Sequence, residues 1–136
     1  MSCRRIGNGI WVVVALTVFW AGEPAFSKGY EVKKKTAEYE VTARLDRNPP
    51  ILGDNPIEIE IQDPSGKQVR EATVLINYYM PPMPRMAPMN YTIEAKVSGN
   101  RYKARINFIM TGPWIIVIKM KREGKTSTTK FNVDVH

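Results

Sequence analysis

Among its 136 residues the chain has one cysteine, Cys3, and one histidine, His136. Downstream of Cys3 there is therefore no thiol, no disulfide and no Cys/His ligand set of the kind that zinc requires. Cys3 also stands upstream of the apolar run rather than directly after it, so it is not placed for lipid attachment. No serine lies in a recognisable nucleophile motif, and the acidic residues are scattered over alternating positions, so no catalytic residue is assigned and no enzyme activity is expected. From Thr36 onward no window shows the i, i+3, i+4 spacing of an amphipathic helix. Lys67 follows Gly66, but the Gly-x4-Gly-Lys-Ser/Thr spacing of a phosphate loop is missing.

What is present begins with Ile10 to Ala21, an uncharged run (IWVVVALTVFWA) preceded by Arg4 and Arg5. As a helix this run would be about 18 Å long, short of the ~30 Å hydrocarbon core that a spanning helix must cross. It reads as an N-terminal signal peptide. Ala25-Phe-Ser27 puts small residues at the two positions a signal peptidase inspects, so residues 1–27 are expected to be removed after Ser27. An uncleaved membrane anchor is the alternative. Either way the protein is exported, to a periplasmic or extracellular location.

The net charge is +7. Most basic residues fall singly on alternating positions, with no interleaving of aromatic and basic side chains, so nucleic acid is not an expected partner. The exception is Lys33-Lys34-Lys35, within residues 28–35, which read as a basic linker able to make weak contact with an anionic membrane surface.

Residues 36–136 read as one all-β domain, because period-two alternation runs through almost the whole stretch. Tyr39 to Leu45, Ile57 to Gln62, Ala72 to Met80, Tyr91 to Val97, Tyr102 to Met110, Trp114 to Lys121 and a last strand carrying Phe131, Val133 and Val135 are the expected strands. Asn48 to Pro56, Asp63-Pro-Ser-Gly66, Ser98-Gly-Asn100, Gly112-Pro113 and Glu123-Gly-Lys125 separate them. Seven short strands with such turns predict a seven-stranded antiparallel immunoglobulin-like β-sandwich. Trp114 is its candidate core tryptophan.

Within that scaffold, Met80-Pro-Pro-Met83-Pro-Arg-Met86-Ala-Pro-Met89 repeats a thioether every third residue. A polyproline II path would project all four methionines from one edge with neighbouring sulfurs about 9 Å apart, too far for two to share an ion. A metal site therefore requires the run to bend or to borrow a ligand. If each strand reverses direction, the 46–56 loop, Met80 to Met89, Met110 and His136 collect at one pole, with Met120 at the other. Met80, Met83, Met86, Met89 and Met110 are the candidate ligands of a soft ion such as Cu(I). The other reading is a flexible apolar lip that docks an envelope or membrane protein partner.

Met80-Pro-Pro-Met83, Gly99-Asn-Arg101-Tyr102 and Phe108-Ile-Met110-Thr-Gly112-Pro-Trp114, taken in that order, resemble the YtkA-like domain, which is related to the FixH-like proteins. The resemblance covers roughly residues 36 to 121. It implies a secreted or membrane-anchored immunoglobulin-like sandwich associated with copper handling or with assembly of cation-linked membrane machinery. Copper proteins that set several histidines near the methionine loop differ from this chain, which offers only His136.

Amino-terminal sequencing of the exported protein is expected to begin at Lys28. An intact Met1 in the membrane fraction would assign the anchored form instead.

Overall fold

The computed structural model describes residues 29–136. The signal peptide and its cleavage site lie outside the described residues. Eight strands follow one another: β1 (Tyr30–Lys35), β2 (Glu40–Leu45), β3 (Gly53–Gln62), β4 (Thr73–Tyr79), β5 (Asn90–Ser98), β6 (Arg101–Phe108), β7 (Gly112–Arg122) and β8 (Lys125–Val135). Every pairing is antiparallel, in the order β1-β2-β3-β6-β5-β4-β7-β8.

β5 makes this continuous order into two layers. Its first part, Asn90 to Ala95, pairs with β4, and its last part, Lys96 to Ser98, pairs with β6. A strand that changes partner along its length forms a corner, and the sheet folds over there so that its two inner faces meet. Val41, Ala43, Leu45, Ile57, Ile59, Ile61, Tyr102, Ile106 and Phe108 come from one side. Val74, Ile76, Ile116, Ile118, Phe131 and Val133 come from the other, in a single buried cluster. These are the positions marked by period-two alternation, and the immunoglobulin-like sandwich follows from them.

Two segments differ from the sequence-based expectation. Residues 28–35, expected as a basic linker, contain β1, which makes eight strands instead of seven. Tyr30 and Val32 pack against the core, while Lys33 pairs with Glu40 at 2.8 Å. Lysines on an edge strand also discourage pairing with other chains, so the triplet that resembles a tether suits an edge. The Tyr30 hydroxyl donates to the Asn132 carbonyl (2.9 Å) and its ring stacks on Phe131, which joins the first strand to the last across the open side of the sandwich.

The second difference is at β3, which starts at Gly53 rather than Ile57. Gly53 to Pro56 pair with β6, but β2 reaches only as far as Ile57, so Pro56 lacks an amide where no neighbour needs one. Fully buried Asn55 holds the preceding loop: its side-chain amide donates to the Ile51 and Gly53 carbonyls, and its side-chain oxygen accepts from the Ile51 amide.

On the outer face, Arg101 and Lys103 reach Glu58, and Arg44 bridges Glu31 and Glu60. The hydrogen bond from Arg101, helped by the nearby Lys103, lowers the pKa of Glu58.

Ile59, Phe108 and Ile116 have no exposed surface, so truncation of each to Ala is expected to cost about 2 to 5 kcal/mol in denaturant unfolding. Glu58→Ala, Glu60→Ala and Lys103→Ala, which affect only surface pairs, should each cost no more than about 1 kcal/mol. Equal losses in the two sets would contradict the register.

Candidate metal centre in the methionine hairpin

The β4–β5 hairpin register places Tyr78 opposite Tyr91 and Tyr79 opposite Asn90. It continues into the loop, where the Met80 amide donates to the Met89 carbonyl at 3.1 Å. At the tip the Met86 amide donates to the Met83 carbonyl at 3.3 Å. Pro84 and Arg85 occupy the turn, with Arg85 at φ 63°, as the third position of a type II turn requires. Pro81, Pro82 and Pro88 have no amide to donate, so the ladder is interrupted between these two bonds.

The polyproline II path therefore does not persist, and the run bends. Read outward from its centre, Met-Pro-Pro-Met-Pro and Arg-Met-Ala-Pro-Met are nearly mirror-related in methionine placement, so folding the run about Pro84 and Arg85 sets Met80 against Met89 and Met83 against Met86. All four methionines line one cavity of about 200 Å³, together with Tyr79, Asn90, prolines and Ala87. No charged side chain and no imidazole is among its lining residues. Met80 is buried and Met89 half-buried, whereas Met83 and Met86 are 36% and 39% exposed. The inner pair closes the floor and the outer pair stands at the mouth.

The outer face holds the same register. The Asn77 side-chain amide donates to the Asn90 side chain (2.5 Å), the Tyr91 carbonyl (3.0 Å) and the Thr92 hydroxyl (3.1 Å), bracing both strands just below the loop. Beneath lies an aromatic bed, in which Trp114 is 5.3 Å from Phe108, 5.9 Å from Tyr78 and 6.5 Å from Tyr91, ring centre to ring centre. Burial keeps the pKa of the Tyr78 phenol above its ordinary value. Trp114 is fully buried, and its indole N–H donates to the Met110 carbonyl at 2.8 Å.

Met110 comes to this pole as the strand order requires, but it is not among the residues lining the methionine cavity and packs half-buried against the core. The β6–β7 turn instead meets the loop at Gly112, where an added Cβ would lie 3.4 Å from the Met80 terminal methyl. Gly112 also has φ +113°, a conformation suited to glycine. His136 is not a frayed end: its amide donates to the Pro50 carbonyl (3.0 Å) and its carbonyl accepts from the Leu52 amide (3.3 Å). Its side chain lies 3.6 Å from Asp134, and it too is absent from the cavity lining. Among the described residues no group of three or more His, Cys, Asp or Glu is arranged to hold a metal.

Sequence reasoning missed the hairpin pairing of the methionines. The signal was available in the near-mirror spacing about Pro84-Arg85, once strands are assigned on both sides.

Trp114→Phe keeps most of the ring bed but leaves the Met110 carbonyl without its donor. It is expected to lower stability by about 1 to 3 kcal/mol, measured by denaturant unfolding.

The architecture matches a solved structure, the soluble domain of PmoD from Methylocystis sp. ATCC 49242 (Rockwell), with a TM-score of 0.55 over 76% of this chain and 96% of that one. At 15% identity this likeness concerns the fold alone. No curated protein matches the sequence. The family model described as YtkA-like matches residues 33–119, from within β1 to within β7, and so includes the whole methionine hairpin. The chain belongs to the YtkA-like family.

Proposed function

We propose that this chain is a non-enzymatic, exported protein of the cell envelope that binds copper as Cu(I) through its methionine hairpin, for metal handling or delivery. The observation that carries this reading is four methionines, paired through the backbone as Met80 with Met89 and Met83 with Met86, that line one cavity with no charged group in its lining. Neutral sulfur donors suit a soft monovalent ion and give hard or borderline divalent ions little to bind. The donor set fits: buried Met80 and half-buried Met89 supply the floor, and the exposed outer pair supplies an entry path. Bound Cu(I) would be a cargo carried for transfer. The copper association implied by the resemblance to YtkA-like domains points the same way.

A second reading is supported by the exposure of Met83 and Met86 at the mouth of an apolar cavity. There the loop is a flexible lip that docks an envelope or membrane protein, with methionine adapting to the partner's surface.

The test is an anaerobic Cu(I) competition titration against a chromogenic chelator. The wild-type protein is expected to hold Cu(I), and to keep it in mildly acidic solution where histidine sites, with an unperturbed pKa of about 6.5, begin to protonate. Zinc should compete poorly. The Met83→Leu, Met86→Leu double variant keeps the apolar bulk and should stay folded while losing copper. Met110→Leu, away from the cavity lining, is expected to retain it. Equal and negligible copper in wild type and double variant would remove the metal reading and leave the docking lip.

A further inference from the structure

Seven large hydrophobic side chains are exposed among the described residues, and Leu52, Met83, Met86 and Ile109 of these stand on three separate loops at the methionine pole. The ladder explains why they stand together. Gly53 faces Phe108 in the β3–β6 pairing, so Leu52 and Ile109 flank the next position outward, and both are more than half exposed. The Met80 methyl meets the β6–β7 turn at Gly112, which joins the methionine loop to the same crown. The opposite pole is charged, with Asp63, Lys67, Arg70, Glu71 and Arg122 around one open hollow.

The chain enters at the apolar pole. Tyr30 pairs with Leu45, the last residue of β2 before the 46–52 loop, and Gly29 lies so close to the Leu45 carbonyl that a Cβ would collide with it. The uncharged run Ile10–Ala21 ends eight residues before Gly29, so its end can lie at most about 28 Å from that point. During export or as an anchor, this run therefore connects to the domain at the methionine pole and not at the charged one. Arg47 and Arg85 are exposed on the crown loops as partners for phosphate headgroups. Of the acidic groups there, Asp46 adjoins Arg47, Asp54 accepts from Asn107 at 2.7 Å, and exposed Asp134 lies 3.6 Å from the His136 imidazole.

We propose that the methionine pole is a lipid-facing surface, with Leu52, Ile109, Met83 and Met86 seated at the headgroup boundary of the bilayer and the charged pole turned away. Scattered exposed apolar residues need no explanation, but a crown of them on converging loops at the point of chain entry does. The proposal shares Met83 and Met86 with the metal reading, so its test is placed on Ile109 and Leu52, which do not line the methionine cavity.

The test uses the exported protein as recovered from cells, with Cys3→Ser and a single new cysteine carrying an environment-sensitive NBD label. Ile109→Cys reports on the crown. Val97→Cys, equally exposed near the opposite pole, is the control. On adding vesicles of phosphatidylethanolamine and phosphatidylglycerol, the Ile109 label is expected to brighten several-fold and shift to the blue, while the Val97 label stays unchanged. Leu52→Glu, placed in the Ile109→Cys background at an exposed site, should abolish the response without unfolding the protein. Equal responses at the two labels, or none at either, would overturn the proposal. So would a concentration-dependent change at Ile109 without vesicles, which would assign the crown to a second copy of the chain. A response in native membranes but not in pure lipid would assign it to a membrane protein instead.

Discussion

The hydrogen bond from the Met80 amide to the Met89 carbonyl carries the β4–β5 register one step beyond the sheet and decides which thioethers meet. With the register fixed, Pro84 and the left-handed Arg85 can only close the tip, and Met83 comes to face Met86. A slip of one residue would turn every side chain on these strands to the other face, moving Ile76 and Tyr78 out of the core. The core thus enforces the loop. Burial of Ile76, Tyr78 and Trp114 and the outer brace at Asn77 hold the same alignment from both sides of the sheet.

A proline-rich loop with few internal bonds would otherwise sample many conformations. Here the strands that carry it are joined by the packed rings of Tyr78, Tyr91, Phe108 and Trp114, and the methyl of Met80 lies against the β6–β7 turn at Gly112. Exposure therefore rises along the hairpin, from buried Met80 to Met83 and Met86 near its tip. For the copper cargo proposed above, a fully enclosed site would release the ion slowly and a fully exposed one would not exclude water.

The sandwich is also polar along its length. One end carries Pro49, Pro50, the prolines and methionines of residues 80–89, Leu52 and Ile109, and the other carries Asp63, Lys67, Arg70, Glu71 and Arg122 around an open hollow. Because β1 starts at the apolar end, Gly29 and the methionine cavity lie on the same side of the domain.

The sequence by itself determined the strands whose two faces differ in solvent contact. Ile57, Ile59 and Ile61 against Glu58 and Glu60, or Tyr102 and Ile106 against Lys103 and Arg105, can be read from alternation because burial on one face leaves a period of two. The gathering of the methionine loop, the β6–β7 turn and the C-terminus at one end also followed from strand reversal alone. Tertiary structure decided what depends on partners distant in sequence. β1 is a strand only because β2 offers an edge and Phe131 a surface for Tyr30, and Pro56 is tolerated in β3 only because β2 stops short of it. The bend of the methionine run and the absence of Met110 from its cavity were likewise decided there. A local polyproline preference is weak beside a hairpin register anchored in a packed core, and the Met110 side chain goes where the core has room for it.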